Sequence, residues 1–240
     1  MTNPSSNNDL YFGKDLEALS FATNYYNWIL EEFSPFLGKD IAEIGAGIGN
    51  FSRLLLKRPI RNLVAFEPSR NMFPLLQKNL AGESRVRAIN GFFEDHSAKF
   101  NNHFDTVCYI NVLEHIEDDR GALCHAHSTL KDSGHLLIFV PALSFLYSEL
   151  DKKVGHVRRY SKGELVDVVS SAGFSIKKAK YFDILGIIPW FVAFVLLKQI
   201  PTKANVSLYD KLVVPLIKPI ERALPPPIGK NLVLVAQKAG

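Results

Sequence analysis

One stretch constrains this chain more than any other: Asp40-Ile41-Ala42-Glu43-Ile44-Gly45-Ala46-Gly47-Ile48-Gly49-Asn50-Phe51. Ile41, Ala42 and Ile44 make a short apolar strand, three glycines follow at alternate positions, and a helix is expected to open near Asn50. Glycines at this spacing let the chain turn sharply and bring backbone N–H groups against a ligand with no side chain in the way. Glu43 puts a carboxylate at the carboxyl end of the strand. That is the end at which open α/β sheets bind their ligands.

The rest of the chain alternates strand and helix, the pattern of a parallel sheet. A first helix is expected over Asp15 to Phe36, closed by Pro35 and Gly38. Strands are expected at 40–45, 62–67, 86–90, 104–110, 135–140, 174–181 and 232–235, with helices near 50–57, 69–80, 118–130 and 161–172.

The glycine turn admits two ligand readings, beside a plain tight turn with no ligand. A dinucleotide fingerprint needs G-x-G-x-x-G with a pyrophosphate over the helix N-terminus. Here the spacing is G-x-G-x-G, and Asn50 stands where the third dinucleotide glycine belongs. The E-x-G-x-G-x-G run from Glu43 to Gly49 instead resembles the nucleotide-binding motif of class I S-adenosylmethionine (SAM)-dependent methyltransferases. A carboxylate at Glu43 suits a ligand with an ammonium group and repels a pyrophosphate.

The resemblance implies a Rossmann-like α/β fold, a seven-stranded, mostly parallel sheet with helices on both faces, to which this chain adds a helical insertion before the last strand where the family usually has a tight hairpin. It divides the chain into a lid and covering helix (1–37), a SAM-binding core (38–182), the insertion (183–229) and the last strand (230–240). It implies SAM as cofactor, held by Glu43, Gly45, Ala46 and Gly47 at the turn and by Glu67 and Pro68 after the second strand. An acid at Glu67 can accept hydrogen bonds from both ribose hydroxyls. After the third strand the family places an acid against the adenine amino group. Here Phe92 and Phe93 come first and Glu94 and Asp95 follow, so Glu94 reaches the amino group or the phenylalanines supply backbone contacts and a wall.

The fourth strand ends in Asn111-Val112-Leu113-Glu114-His115-Ile116, similar to a segment of methyltransferases that include the quinone and polyprenyl-phenol enzymes. Asn111 and Val112 would border the methionine part of SAM. His115 is either a general base, as its titration range suits, or a histidine that holds the loop, and Glu114 is expected to fix local structure. Gly155-His156-Val157-Arg158-Arg159-Tyr160 looks like a motif of bacterial methyltransferases acting on envelope sugars or lipid-linked substrates. His156 offers a base, Arg158 and Arg159 forked donors for phosphate or carboxylate, and Tyr160 a ring and a hydroxyl. The other reading pins this loop by salt bridges to Glu149 and Asp151. Tyr25 is expected to touch cofactor or acceptor, or to anchor packing.

Between the last two strands, Ile184 to Leu197 is uncharged, and Leu208, Leu212, Leu216, Ile220 and Leu224 recur every four residues. Pro215 and Pro219 should interrupt that helix. The insert reads either as a lid over the acceptor pocket or as a patch that dips into a membrane surface, and one segment can do both. Residues 1–140 carry a charge balance of −4 and residues 141–240 one of +8, so the second part is suited to something anionic.

These features lead to methyl transfer onto a small amphipathic acceptor with an anionic group, such as a lipid-linked sugar or a prenylated or aromatic metabolite, without nucleic acid. The alternatives are a SAM-binding regulator without turnover and an NAD-dependent oxidoreductase. Cys108 and Cys124 read as reduced core residues, and the seven histidines show no metal spacing, so no metal is expected. With no signal sequence evident, the expected place is the cytoplasm, with peripheral contact at the inner membrane surface.

Overall fold

The structure is a computed structural model that describes residues 22–200 and 202–239. The expected alternation folds into one seven-stranded sheet: β1 (Asp40–Ile44), β2 (Asn62–Glu67), β3 (Val86–Asn90), β4 (Phe104–Ile110), β5 (Leu130–Pro141), β6 (Phe174–Phe182) and β7 (Asn231–Lys238). Their order is β3-β2-β1-β4-β5-β7-β6. The first five strands are mutually parallel, and β7 runs antiparallel between β5 and β6.

Side chains alternate across this sheet with a period of two and so feed two cores. Leu136, Ile138 and Val140 of β5 and Leu232, Leu234 and Ala236 of β7 enter one core; Leu137, Phe139, Val233 and Val235 enter the other. The first core is covered by α4 (Asp119–Thr129) and α6 (Lys162–Ser171) through Leu123, Ala126, Leu165 and Val169. The second is covered by α1 (Thr23–Phe33) and α2 (Asn50–Leu55) through Trp28, Phe33, Phe51 and Leu55. Helix α3 (Phe73–Asn79) packs Leu76 against Ala65 at the β3 side of the sheet.

Helix starts follow their capping chemistry. Ser161 and Glu164 close a capping box on α6, and Ser148 and Asp151 close another on α5 (Glu149–Val154). Helix α1 has no local side-chain cap. Its Asn24 and Tyr25 N–H groups instead donate to the Asp210 carboxylate, at 3.0 and 2.8 Å, from 186 and 185 residues away. The expected start of this helix at Asp15, and the expected lid before it, fall outside the described residues. Strand β5 begins five residues earlier than expected, because Leu130 already pairs with Phe104 across a bulge.

The insertion holds α7 (Ile187–Trp190), which continues as a π-helical turn over Phe191–Leu196, then α8 (Lys203–Leu212) and α9 (Val214–Ala223). The expected single helix breaks at Val213; Pro215 sits in the first turn of α9, where its missing N–H costs nothing, and Pro219 lies inside that helix. Val214 and Ile217 drop into the second core beside Trp28 and Phe182. The leucine stripe does not line a pocket: Leu208, Leu212, Leu216, Ile220 and Leu224 are between 58% and 74% exposed.

Candidate active site

The strand order reverses between β1 and β4, and a parallel sheet opens a crevice at that point beyond its carboxyl ends. A cleft of about 810 Å³ lies there. Its floor is the glycine turn. Gly45, Gly47 and Gly49 all have positive φ, and a Cβ on Gly45 would come within 2.5 Å of the Val112 side chain. The turn is pinned from the neighbouring strand, since Ala46 N–H donates to the Phe66 carbonyl and Gly47 N–H to Glu67 Oε2 at 2.7 Å.

Glu67 is buried, and its other oxygen accepts the Ser69 N–H at 2.8 Å. Each carboxylate oxygen keeps a second lone pair, enough for two ligand hydroxyls. Glu43 is also buried and accepts the Ser52 hydroxyl at 2.5 Å. Burial pushes Glu43 up to about 8, with Ser52 opposing and the charge of Glu67 adding to the rise. Burial likewise raises Glu67, against the Ser69 and Gly47 N–H groups that favour its charged form. Two carboxylates facing one cleft favour a ligand that brings positive charge and hydroxyls. SAM has both, and the glycine cradle leaves backbone free to meet it.

Every residue expected to hold the cofactor lines this cleft: Glu43, Gly45, Ala46, Gly47, Glu67, Pro68, Phe93, Glu94, Asn111 and Val112. Phe93 is buried edge-on against Phe66 at 5.2 Å, whereas Phe92 is mostly exposed. Asn111 takes a positive φ, a conformation asparagine tolerates, at the end of β4.

The opposite end of the cleft is built from loops. Tyr25, His115, His156 and Arg159 all line it. The two imidazoles meet edge to face, 4.6 Å apart. Asp151 Oδ1 lies 2.7 Å from His156 Nδ1, so the other ring nitrogen, Nε2, is turned toward Glu114 Oε1 at 3.7 Å. Burial and the neighbouring His156 bring His115 down to about 4. Burial raises Glu114 to about 7, with His156 opposing.

Three expected roles change with the tertiary placement. The Arg159 side chain is 1% exposed and spends its donors on Asp151 and the Ala142 carbonyl while stacking 4.8 Å from the Trp190 ring centre. It supports the wall more than it reaches out from it. Arg158 and Tyr160 do not line the cleft. Arg158 bonds to Asp119 and the Glu117 carbonyl, and the Tyr160 hydroxyl donates to Asp119 at 2.8 Å. The salt-bridge reading of the loop holds for Asp151, which takes Arg159, but Asp119 and not Glu149 takes Arg158, because Glu149 pairs with Lys152 on its own helix.

Sequence reasoning missed Trp190 and Lys230, which complete this wall. Trp190 Nε1 donates to the Leu146 carbonyl at 3.1 Å. Lys230 Nζ pairs with Asp183 at 3.0 Å and sits 5.0, 5.4 and 5.8 Å from the rings of Tyr25, Trp190 and Tyr209. No motif marks either residue; the signal available was the aromatic content of the uncharged run that contains Trp190.

A model of the methyltransferase-domain family matches residues 19–179. No curated protein matches the chain. Among solved structures, a SAM-dependent methyltransferase of Thermotoga maritima is 21% identical with a TM-score of 0.63, over 95% of this chain and 96% of that one. One from Archaeoglobus fulgidus is 17% identical with a TM-score of 0.62, over 93% and 99%. A Haemonchus contortus phosphoethanolamine N-methyltransferase, bound to phosphomonomethylethanolamine and S-adenosylhomocysteine, is 15% identical with a TM-score of 0.65, over 95% of this chain and 58% of that one. At these identities the likeness is one of fold.

Proposed function

The chain belongs to the methyltransferase-domain family and is a SAM-dependent methyltransferase of class I fold, and from that premise we propose that its acceptor is a small amphipathic molecule with an anionic group. The observation that carries this reading is the wall opposite the glycine turn. Tyr25 and Trp190 offer apolar surface there, while Lys153 brings positive charge to the same rim beside Lys152 and Lys230, whose ammonium groups are paired with Glu149 and Asp183. An apolar body with one acidic group, as in a lipid-linked sugar or a prenylated ring acid, matches both.

The bound sulfonium supplies an already activated methyl group. The chain's own task is to align the acceptor in line with it and to exclude water, which together can account for several powers of ten in rate. For a hydroxyl acceptor the proton is handled at the His115–His156 corner, whose rings border the cleft. Glu43 and Glu67 hold the cofactor, and Tyr25 and Trp190 hold the acceptor's apolar part.

The insertion adds a second contact. Among the described residues, twelve of the sixteen large exposed apolar side chains lie between 185 and 228. The acids of that segment, Asp210 and Glu221, are buried, so Lys198, Lys203, Lys211, Lys218 and Arg222 dominate its charge. Such a face fits the surface of an anionic bilayer, from which an amphipathic acceptor would reach the cleft past Trp190. No described helix is long and apolar enough to cross a membrane.

The test is to incubate the protein with methyl-labelled SAM and a cell extract and to identify the labelled product by mass spectrometry. A product that partitions into organic solvent and carries a phosphate or carboxylate is expected. A small, polar, cationic product would overturn the reading, because neither the apolar wall nor the lysines would have a partner.

A further inference from the structure

Histidine spacing in the sequence carries no metal pattern, yet folding gathers Glu114, His115 and His156, with one ligand-type atom of each within 4.8 Å of the others. We propose that these three residues bind a divalent transition cation of the zinc or manganese class, open to the cleft, where it takes the acceptor's oxygen.

Glu114 is the strongest argument. It is fully buried, and neither of its carboxylate oxygens has a hydrogen-bond partner. Its closest basic partner is His156 Nε2, and 3.7 Å is too long for a hydrogen bond. A buried carboxylate without partners is costly unless a cation or a proton meets it. Arg159 does not discharge that debt, because its forked donors are taken by Asp151.

Both imidazoles are also held the way metal-binding imidazoles are. Ligating histidines commonly bond through the second ring nitrogen to a carboxylate or a backbone carbonyl, which sets the tautomer and the ring orientation. His156 does so with Asp151, and Asp151 is itself fixed by the Ser148 hydroxyl and by Arg159. His115 does so with the backbone of Gly155.

The spacing is near what is needed. Bonds of 2.0–2.2 Å in tetrahedral geometry put ligand atoms about 3.4 Å apart. Glu114 and His156 stand at 3.7 Å, and all three ligand atoms lie within 4.8 Å of one another, so the side chains must draw inward to close the set around a cation. His115 and His156 border the cleft and Glu114 lies behind them. Three protein ligands with a fourth position toward the substrate is the layout of catalytic rather than structural zinc sites.

For its role, though not for binding itself, the inference rests on the reading of this corner given above. A cation here lowers the pKa of the acceptor hydroxyl, whose proton passes to solvent. The oxygen lone pair then forms the new C–O bond as the C–S bond breaks, its electrons staying on sulfur to leave S-adenosylhomocysteine.

The test needs neither SAM nor acceptor. Tag-free, full-length protein is stripped with chelator and titrated with Zn²⁺ by calorimetry and with Co²⁺ by visible absorption. One equivalent per chain is expected. Glu114→Gln and His156→Asn should each weaken binding at least tenfold, and Asp151→Asn by 10–100-fold, the range typical of outer partners. Circular dichroism controls for folding; where Glu114→Gln does not fold, His156→Asn and the wild-type stoichiometry decide. Uptake by wild type no greater than by His156→Asn overturns the site, and the corner then holds a shared proton in place of a metal. The nature of the methylated product tests the proposed function separately.

Discussion

Glu43 and Glu67 face the same turn from adjacent strands, and both are buried. With Glu43 raised to about 8, its neutral form predominates at pH 7 in the free protein. A cationic ligand beside it favours the charged form, so binding expels a proton. SAM affinity should therefore rise from pH 6 to pH 9. Calorimetry in buffers of different ionisation heat should detect up to one proton released near neutrality, and Glu43→Gln should abolish it; wild type releasing none would remove Glu43 from the cofactor site. The same shift has a stability sign. The unfolded carboxyl loses its proton near 4.5 and the folded one near 8. Between those values the folded state binds more protons, so this group makes the free protein less stable as pH rises through the window. Glu67 acts differently, since two N–H groups already hold it. Glu67→Ala removes charge-assisted hydrogen bonds of about 1.5–3 kcal/mol each. SAM affinity should fall at least tenfold by calorimetry while circular dichroism stays native, and unchanged affinity would refute the assignment.

Among elements, α8 and α9 carry opposite obligations on opposite faces. Val214 and Ile217 fill the second core, whereas Leu212 and Leu216 stand 58% and 69% exposed. Deleting the insertion would uncover Trp28 and Phe182 and so is a poor probe of its outer face. Leu212→Glu with Leu216→Glu leaves the core untouched. Wild type should co-sediment with anionic vesicles, less so as salt screens the basic residues, and the double variant should stay in solution with its thermal midpoint unchanged. Equal sedimentation of the two proteins would rule out this face as the lipid contact.

At the scale of the molecule, the insertion and the first helix are joined through buried acids. Asp210 caps α1, and Asp183 collects the Tyr209 and Tyr25 hydroxyls, the Gly186 N–H and the Lys230 ammonium. Glu221 accepts the Asp183 and Ile184 N–H groups. The cleft wall opposite the glycine turn thus rests on contacts between segments as far as 186 residues apart. Asp210→Ala leaves two helix N–H groups without an acceptor and should cost about 2 kcal/mol. For a domain of this size that is about 4–8 °C in thermal midpoint, and a midpoint within one degree of wild type would show that water serves equally well as the cap.

Sheet and cleft floor were legible because their signals are local. The glycines from 45 to 49, the acid at Glu67 and the apolar runs of β1 to β5 each act within a few residues of themselves, where backbone conformation and periodicity are decided. The sequence by itself therefore determined the α/β alternation, the turn and the two carboxylates that face the cleft. It could not decide what the Gly155–Tyr160 run does. Arg159 turns inward because Asp151 and Trp190 wait there, and Arg158 and Tyr160 turn to Asp119, some forty residues earlier. Nor could it show that Val214 and Ile217 would be buried while the leucines beside them stay in solvent, since either face of an amphipathic helix can be the inner one until a partner surface exists. The meeting of Glu114, His115 and His156 belongs to the same class. Distances between loops depend on how the whole sheet twists and packs, and only the tertiary structure decided them.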